Sequence, residues 1–439
     1  MKPYNLFGVI LVVLGFMGPH PVAAQTPDSL DRYLETAAKN NPGLNADFLA
    51  YKASLEKVPQ AGAWPDPQLD IGFFLKPMDI VGGRQVADFT LMQMFPWFGT
   101  KKAAQTEATH MAKMAYARFT ETRDNLYLEV YTQWYILSTL VQQLHNNRDN
   151  LELLKQLEEL ALRKVSSSSS GMSSGMGNTA PGMSDVLRVQ LEMAEIENNI
   201  ESILSEIAAE KAKFNALLNR SADREVILPD SIAKVPFFFD EGVTMSEIEN
   251  RNPMLDMLVE EEQAYRAKGE MDQKMSYPMF GIGLQYMLIG ESATAQMEQG
   301  MEPEMTGMDM IMPMVSISIP LYRNKYKAQQ RESRFMWQSA REKYNNTLNM
   351  LQSDLFRLKH QLDDAERKIT LYRKQEQLAR TTYQLVVQEF VSAKSDLTNV
   401  IQVQRQLLDY QLRQAEAIAE YNTRVASIRK LRSFNTSNN

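Results

Sequence analysis

The sequence repeats one plan twice, and each copy contains a helical stretch too long for an ordinary globular domain. An Asn-Pro pair opens the first copy at Asn41-Pro42 and the second at Asn252-Pro253. Each pair is followed by a helical stretch, two strand-like segments, a proline and a very long helical stretch. The prolines that close the strand segments are Pro96 and Pro320. A repeat of about 200 residues is too long for a solenoid unit, so the pattern predicts a duplicated domain.

The long helices are predicted from the absence of helix breakers. Residues 100–165 contain neither Gly nor Pro, and neither residue type occurs after residue 320. A helix of about 65 residues would extend about 100 Å. Apolar residues recur at alternating spacings of three and four, so we expect these helices to pack on neighbours along their length, as in a coiled coil. These positions are Val130, Trp134, Leu137, Val141 and Leu144 in copy one and Leu348, Leu351, Leu355, Leu358, Leu362, Ala365 and Ile369 in copy two.

The strand segments alternate between apolar residues and small or polar ones. The apolar residues are Leu69, Ile71, Phe73 and Leu75, then Phe280, Ile282, Leu284 and Tyr286, then Val315, Ile317 and Ile319. This period of two is typical of membrane β-barrel strands and also of a half-buried sheet in a soluble protein. Single-chain barrels begin at about eight strands, so four strands cannot close one, whereas three chains would supply about twelve. Aromatic residues flank the strand ends, where a membrane girdle would lie; they are Trp64, Trp97, Phe98 and Tyr322.

The first residues of the sequence predict export. Lys2 precedes an apolar run over residues 6–17, and residues 22–24 are small enough for a cleavage site. Residues 1–24 are therefore predicted to be a secretory signal peptide. A membrane anchor is the alternative, but the apolar run is too short to span a bilayer. No later segment is apolar for long enough to be a transmembrane helix, so a membrane role would have to use strands.

Composition argues against several classes of protein. There is no cysteine, which excludes disulfides, thiolate metal sites and a lipidated cysteine. The formal net charge is −7, and −8 without Lys2, so nucleic acid is not an expected partner. The four histidines form no metal motif, and no nucleophile elbow, P-loop or coherent acid–base set is present. We therefore predict no enzymatic activity, no catalytic residue and no cofactor.

Each long helix is expected to end at a turn and to be followed by a return helix. Residues 166–183 are rich in Ser, Gly and Met, which predicts a flexible turn, and Asp185 is expected to cap the return helix, which runs to about Asn219. The turn of the second copy, at residues 392–395, lacks this insertion. The predicted organisation is a first structural repeat at residues 25–225 and a second at 226–439, the latter with a Met-rich hairpin loop at 287–314.

These features together resemble the TolC-type outer membrane factor family, the exit ducts of Gram-negative tripartite efflux and type I secretion. Besides the Asn-Pro pairs, the resemblance rests on the return helices. Their matching segments are residues 185–190 and 215–220 in copy one, and residues 404–408 and 419–422 in copy two. The resemblance covers nearly the whole mature chain, and the methionine content points to the heavy-metal (copper and silver) branch of the family.

The resemblance implies a mainly α fold with a small β part. In that architecture a homotrimer forms a twelve-stranded β-barrel in outer membrane lipid, continuous with a long α-helical barrel in the periplasm. The implied partners are a periplasmic adaptor (membrane fusion) protein and an inner membrane pump of the resistance-nodulation-division type. The implied location is the outer membrane of a Gram-negative bacterium, with the helices extending into the periplasm.

The family also closes the far end of its tunnel at the helical tips, often with paired aspartates in the second tip. The matching positions here are Asn399 and Gln402, which are uncharged amides, so an acidic ring is not expected. Asp185 and Arg188 occupy the matching places in copy one. The resemblance implies a tip constriction at these four residues. The alternative is that all four belong to capped, solvated helix turns.

Methionine, of which the chain has 27, is concentrated near both ends of the predicted tunnel. Thioether sulfur is a soft ligand that selects Cu(I) and, by the same softness, Ag(I). Strand parity places Met92, Met94 and Met279 opposite the apolar residues, which suggests a ladder of weak ligands suited to transit. The alternative is that methionine is a flexible apolar filler. The candidate ligands are Met287, Met297, Met301, Met305, Met308, Met310, Met312 and Met314 around the hairpin loop, and Met172, Met176 and Met183 at the first turn.

The leading hypothesis is therefore a passive outer membrane channel of a tripartite efflux system. It would carry Cu(I) or Ag(I) ions from the adaptor and pump to the exterior. One alternative keeps the duct and changes its cargo to drugs, bile salts or type I secretion polypeptides. The other is a soluble periplasmic coiled-coil protein that binds metal, which the four barrel-like strands disfavour.

Overall fold

The computed structural model describes residues 30–76, 79–80, 83–169, 183–291, 307–392 and 394–434. The predicted signal peptide lies outside these residues, as do five candidate ligands, Met172, Met176, Met297, Met301 and Met305. The helices are α1 (Leu30–Asn40), α2 (Pro42–Gly62), α3 (Thr100–Ser169), α4 (Met183–Leu217), α5 (Glu241–Arg251), α6 (Pro253–Lys274), α7 (Arg323–Val391) and α8 (Leu397–Leu431). The strands are β1 (Gln68–Phe73), β2 (Asp79–Ile80), β3 (Gly83–Phe95), β4 (Met279–Gly290) and β5 (Met310–Ser318).

The fold is mainly helical with a small sheet, as predicted, and the described elements follow a similar order in the two halves of the chain. In each copy an additional short helix, α1 or α5, precedes the Asn-Pro pair. Asn41 caps α2 by accepting from the Leu44 amide at 3.0 Å, and Asn252 caps α6 by accepting from the Met254 amide at 3.0 Å. Proline then fits the first helical position, where its missing N–H costs nothing.

The two longest helices match their predicted lengths. Helix α3 has 70 residues and α7 has 69, so each extends about 105 Å. Of the apolar positions at spacings of three and four, Val141 and Leu348 are partly buried and all the others are buried. In α7 they pack against α8 in one continuous core that includes Tyr421, Val425 and Ile428. The coiled-coil spacing therefore does mark the packed side of these helices.

One sheet joins the two copies. Its strand order is β1-β3-β4-β5, all antiparallel, with β2 paired only to one end of β3. The predicted pairs β1–β3 and β4–β5 are present, and the pairing of β3 with β4 across the copies was not predicted. A β-bulge between Gln85 and Ala87 shifts the register near one end of β3. The sheet is thus a single four-strand ribbon with a short fifth strand.

The structure corrects two predicted boundaries. Asp185 is not the N-cap of the return helix, because α4 begins at Met183 and places Asp185 in the first turn, where a carboxylate still interacts favourably with the helix dipole. The segment 287–314 is not loop throughout, because β4 extends to Gly290 and β5 begins at Met310. Among the described helices, none combines the length and apolar character needed to cross a bilayer.

Candidate functional site

The two faces of the sheet differ in chemistry. The apolar face carries Leu69, Ile71 and Phe73 of β1, Phe89 and Leu91 of β3, Phe280, Ile282, Leu284 and Tyr286 of β4, and Val315 and Ile317 of β5. This face is open to its surroundings, since Ile282 is 62% exposed and Val315 is 78% exposed. A soluble sheet would cover such a face, because contiguous exposed apolar patches mark contact with another surface or a membrane.

The opposite face is rich in methionine. Register places Met92 and Met94 of β3 beside Gly283 and Gly281 of β4, and Met314, Met312 and Met310 of β5 beside Gly283, Gln285 and Met287 of β4. Met279 shares this face at the start of β4. The parity prediction is confirmed for these positions because successive side chains of a strand point to opposite faces. Whether these sulfurs bind a metal stays a prediction.

The thioethers of Met92 and Met94 converge over two glycines. A β-carbon added at Gly281 would lie 2.6 Å from Met94 Sδ and 3.2 Å from Met92 Sδ. A β-carbon at Gly283 would lie 2.8 Å from Met92 Cε and 3.1 Å from Met92 Sδ. The bare backbone of β4 therefore provides the space that both thioethers occupy. We refer to Met92, Met94, Gly281 and Gly283 as the thioether bay.

Met314 completes a row across the thioether bay. It pairs with Gly283 in the β4–β5 register, while Met92 pairs with Gly283 from the other side. The sulfurs of Met92 and Met94 both lie beside the position that a Gly281 β-carbon would take, and Met314 is one strand away. Thioether sulfur is a soft donor, the type that Cu(I) and Ag(I) prefer. No group of three or more His, Asp or Glu side chains able to hold a metal ion occurs in the described part of the chain.

The glycines of the bay were not singled out in the sequence, although a signal was present. Glycine inside a strand often marks a close approach by another group. Gly281 and Gly283 are two residues apart, so they lie on one face. Their spacing matches that of Met92 and Met94 on the neighbouring strand. The pairing of β3 with β4 is what brings the two sets together, and that pairing is not visible in either copy alone.

The remaining described candidate ligands are not gathered at one point. Met308 precedes β5 and Met183 begins α4, and both are exposed. Asp309, beside Met308, accepts from the Ile289 amide at 3.1 Å and from the Tyr286 hydroxyl, so its carboxylate closes the β4–β5 hairpin. Met310, Met312 and Met314 are therefore residues of strand β5. They remain candidate ligands because their side chains share one face of the sheet.

The four residues predicted at the tip lie in the first two turns of α4 and α8. Arg188 of α4 donates to the Thr398 hydroxyl of α8 at 2.7 Å and lies 3.9 Å from a carboxylate oxygen of Asp185. The backbone N–H of Asn399 donates to the Asp396 carboxylate at 2.9 Å, so Asp396 caps α8. Gln402 is exposed on the same helix. A constriction at these residues stays a prediction, and the capping role of this turn is observed.

An ion pair joins α4 and α8 one to two turns further from the helix starts. The guanidinium Nε of Arg405 on α8 donates to both carboxylate oxygens of Glu192 on α4, each at 2.7 Å. Glu192 is 5% exposed. The hydrogen bonds with Glu192 raise the pKa of Arg405 above its ordinary value. This pair was not predicted, because it joins residues of different copies and has no local sequence pattern.

A second contact ties the long helices together near the same end. The Lys164 ammonium of α3 donates to the Phe390 carbonyl in the last turn of α7 and lies 4.2 Å from the Phe390 ring centroid. Burial lowers the pKa of Lys164. A cation at the end of a helix satisfies carbonyls that have no partner within the helix. The tips are therefore held by side chains as well as by their shared apolar core.

Comparison with solved structures identifies the fold. No protein-family model matches the sequence, and no curated protein matches it. The outer-membrane channel OprN is 15% identical, with a TM-score of 0.71 over 92% of this chain and 89% of that chain. The outer membrane protein VceC of Vibrio cholerae is 14% identical, with a TM-score of 0.72 over 92% of this chain and 96% of that chain.

A third similar structure is the CmeC outer membrane channel of Campylobacter jejuni. It is 11% identical, with a TM-score of 0.69 over 93% of this chain and 87% of that chain. The three similarities extend across both copies of the repeat, since each covers more than nine-tenths of the chain. The paired short helices, the four-strand ribbon and the four long helices are therefore a known architecture. This chain has the fold of the outer-membrane channel proteins.

Proposed function

We propose that three copies of this chain form a channel in the outer membrane of a Gram-negative bacterium. The edges of the sheet support an oligomer, because in the described residues β1 and β5 each pair with a single neighbour. Four antiparallel strands alternate in direction, so β5 of one copy and β1 of the next would run antiparallel and could pair. Three copies would close a barrel of about twelve strands, which removes the exposed edges.

The exposed face of α7 supports the same assembly in the helical part. Leu371, Leu378 and Leu385 recur at intervals of seven and are 50%, 60% and 55% exposed. This stripe is separate from the buried positions of α7, which already pack against α8. A second apolar stripe at heptad spacing needs a helix of another copy to cover it. The long helices of three copies would then form the tunnel wall.

In this proposal the channel is passive and its apolar sheet face contacts outer membrane lipid. A periplasmic adaptor and an inner membrane pump of the resistance-nodulation-division type would deliver the cargo at the helical tips. The test is to extract the outer membrane with detergent, measure the mass of the purified particle and record conductance in a planar bilayer. A trimer with single-channel steps is expected. A water-soluble monomer without conductance would refute the channel and favour the periplasmic metal-binding alternative.

The cargo that the sheet supports best is Cu(I) or Ag(I). The observation that supports this cargo is the thioether bay, in which the sulfurs of Met92 and Met94 both lie close to Gly281 of β4. Methionine binds soft cations without losing a proton and does not form disulfides in an oxidising compartment. Transit requires binding that is weak enough for release, and two or three thioethers meet that requirement better than a closed thiolate site.

The cargo is tested in a strain that lacks the gene, complemented with variants. The wild-type gene is expected to restore tolerance to copper and silver. Met92→Leu/Met94→Leu keeps apolar volume and removes both sulfurs, so metal tolerance should fall while dye and antibiotic tolerance stays at the wild-type level. The matched control is Met336→Leu/Met350→Leu on the exposed surface of α7. Unchanged metal tolerance together with drug sensitivity in the deletion strain would refute the metal cargo and retain the duct.

A further inference from the structure

A pocket lies on the apolar side of the sheet, where the strands meet the helices. It has a volume of about 640 Å³. Its aromatic lining residues are Trp64, Phe95, Trp97, Phe98 and Phe280, and Pro96 and Ile282 add to the apolar wall. The remaining side chains of consequence are Lys101 and Lys102, in the first turn of α3. An apolar pocket with two cations at its rim is thus present outside the thioether bay.

Ring contacts hold the pocket in shape. The Trp97 ring stacks on the Tyr277 ring with centroids 5.1 Å apart and on the Phe280 ring with centroids 5.9 Å apart. The Trp64 and Phe95 rings pack in a T-shaped arrangement with their centroids 5.4 Å apart. These contacts join the end of α2, the end of β3 and the start of β4. The pocket is therefore preformed, because its walls are fixed by each other and need no ligand to order them.

The ammonium groups of Lys101 and Lys102 lie at the positive end of the α3 helix dipole, which repels them. Lys101 Nζ lies 3.2 Å from the Trp64 ring centroid, which fixes its ammonium over the pocket wall. Lysine in the first turn of a helix is unfavourable, because the helix dipole is positive there. Among the described residues, neither Lys101 nor Lys102 forms an ion pair that would offset this cost.

A third lysine reaches the same turn from the second copy. Gly99 has φ +80°, and a β-carbon there would lie 2.9 Å from Lys274 Nζ. Lys274 also donates to the Gly99 carbonyl at 3.4 Å. Glycine at this turn therefore both permits the backbone conformation and makes room for the ammonium. Lys101 and Lys102 line the aromatic pocket, and Lys274 Nζ lies beside Gly99, which also lines it. This charge pattern is complementary to a phosphate with an attached apolar chain.

We propose that this pocket binds one anionic phospholipid. Its acyl chain would lie against the aromatic walls, and its phosphate would contact Lys101 and Lys102, with Lys274 at the rim. The proposal rests on the channel function, because it requires the apolar sheet face to lie in a bilayer. Aromatic residues and lysine stems are suited to the boundary between hydrocarbon and headgroups, and cationic side chains attract anionic headgroups there.

The test uses the full-length protein in mixed micelles and two brominated lipids, dibromo-phosphatidylglycerol and dibromo-phosphatidylcholine. Bromine quenches nearby tryptophan, and two of the four tryptophans, Trp64 and Trp97, line the pocket. Wild type is expected to reach half-maximal quenching at about tenfold less phosphatidylglycerol than phosphatidylcholine. In Lys101→Gln/Lys102→Gln the two lipids should quench at nearly equal concentrations.

The matched control is Lys52→Gln/Lys57→Gln on α2, where Lys52 Nζ also lies near a ring, 4.6 Å from the Phe48 centroid. It should keep the wild-type preference, and Lys101→Arg/Lys102→Arg should keep it too if the glutamine variant fails to fold. Equal quenching of wild type by both lipids, or equal loss in the control, would overturn the proposal. A protein absent from the outer membrane fraction refutes the channel itself, whereas one present there without a lipid preference refutes only the lipid site.

Discussion

The side-chain amide of Asn252 donates a hydrogen bond to the backbone carbonyl of Leu431, with Nδ2 and O 2.9 Å apart. The first copy repeats this contact, since Asn41 Nδ2 donates to the Leu217 carbonyl at 3.0 Å. Each asparagine therefore caps its own helix with its oxygen and binds the last turn of the return helix with its nitrogen. The last carbonyls of a helix have no partner within it, so this contact closes each copy on itself.

Asn252→Ala should lower the free energy of unfolding by about 2–3 kcal/mol, because it removes an N-cap and leaves the Leu431 carbonyl buried without a donor. The measurement is chemical denaturation of the purified protein in detergent, followed by circular dichroism. Asn250→Ala, two residues away, removes only exposed side-chain bonds to the carbonyl and hydroxyl of Ser246 and should change stability by less than about 0.5 kcal/mol. Equal effects of the two substitutions would contradict the closing role of Asn252.

Glu192→Gln should loosen the contact between the two tips. The change removes the charge of the carboxylate that Arg405 hydrogen-bonds, which is expected to weaken the pair by about 1.5–3 kcal/mol. Glu195, 3.6 Å from the guanidinium, keeps its charge. If the tips limit ion flow, single-channel conductance in a planar bilayer should rise. Glu197→Gln, on the exposed side of α4, is the control and should conduct like wild type. A variant with wild-type conductance and reduced stability would show that the pair is structural and does not limit flow.

Leu378→Glu should prevent assembly without unfolding the protomer. The side chain is 60% exposed in the single chain, so a charge there is tolerated until a neighbouring helix covers it. We expect the trimer to be lost on size-exclusion chromatography while the helical content stays close to that of wild type. Gln377→Glu adds the same charge one residue outside the stripe and should still assemble. Trimers of wild-type stability in Leu378→Glu would place the interface elsewhere.

Gly281→Ala should reduce the effect of silver without removing any sulfur. The added methyl group meets the flexible end of Met94 at 2.6 Å, so the thioethers must move away from β4 while the fold remains. Saturating Ag(I) should raise the unfolding temperature of wild type and raise that of the variant less. Gly269→Ala, whose β-carbon makes an ordinary 3.7 Å contact with Ser333, should respond like wild type. If Ag(I) raised the unfolding temperature of Gly281→Ala as much as that of wild type, the Ag(I) ligands would have to lie outside the thioether bay.

On acidification, Asp124 and Asp364 should change the free energy of unfolding in opposite directions. Burial raises the pKa of Asp124 in α3 above 3.8, despite a hydrogen bond from the Ser433 hydroxyl and contacts with Arg123. The folded chain therefore takes up this proton before the unfolded chain does. Asp124 contributes more stability as the pH falls through its folded-state pKa towards 3.8, and that contribution is complete below 3.8. Asp124→Asn removes the gain, so the unfolding temperature of wild type should improve relative to the variant on acidification.

Asp364 supplies the contrasting case. Hydrogen bonds from Lys368 and Arg367 lower its pKa below 3.8, so its contribution is present above 3.8 and is lost as the pH falls through the lower folded-state pKa. Wild type should therefore lose stability relative to Asp364→Asn over that lower window. The check is a series of thermal unfolding curves for wild type and both variants across acidic pH. Parallel curves for Asp124→Asn and wild type would contradict the assigned cause.

Local spacing in the sequence was sufficient for much of the fold. The three-and-four spacing around Leu355 predicted which side of α7 is buried, and the alternation around Ile282 predicted which residues share a strand face. Asn41 and Asn252 marked the starts of α2 and α6. These features were readable because helix and strand periodicities, and the preference for asparagine at an N-cap, depend on neighbouring residues along the chain.

The candidate sites, in contrast, depended on which elements become neighbours. The thioether bay needs β3 of one copy beside β4 of the other, and the pair Glu192–Arg405 joins residues 213 positions apart. The glycine spacing indicates a close approach but not which strand approaches, because pairing between distant strands and helices is decided by the packing of the whole chain. The duplicated sequence by itself determined the long helices, the four longer strands and the sheet face on which the strand methionines lie. Only the tertiary structure decided which sulfurs meet, because the space they share was made by glycines of the other copy.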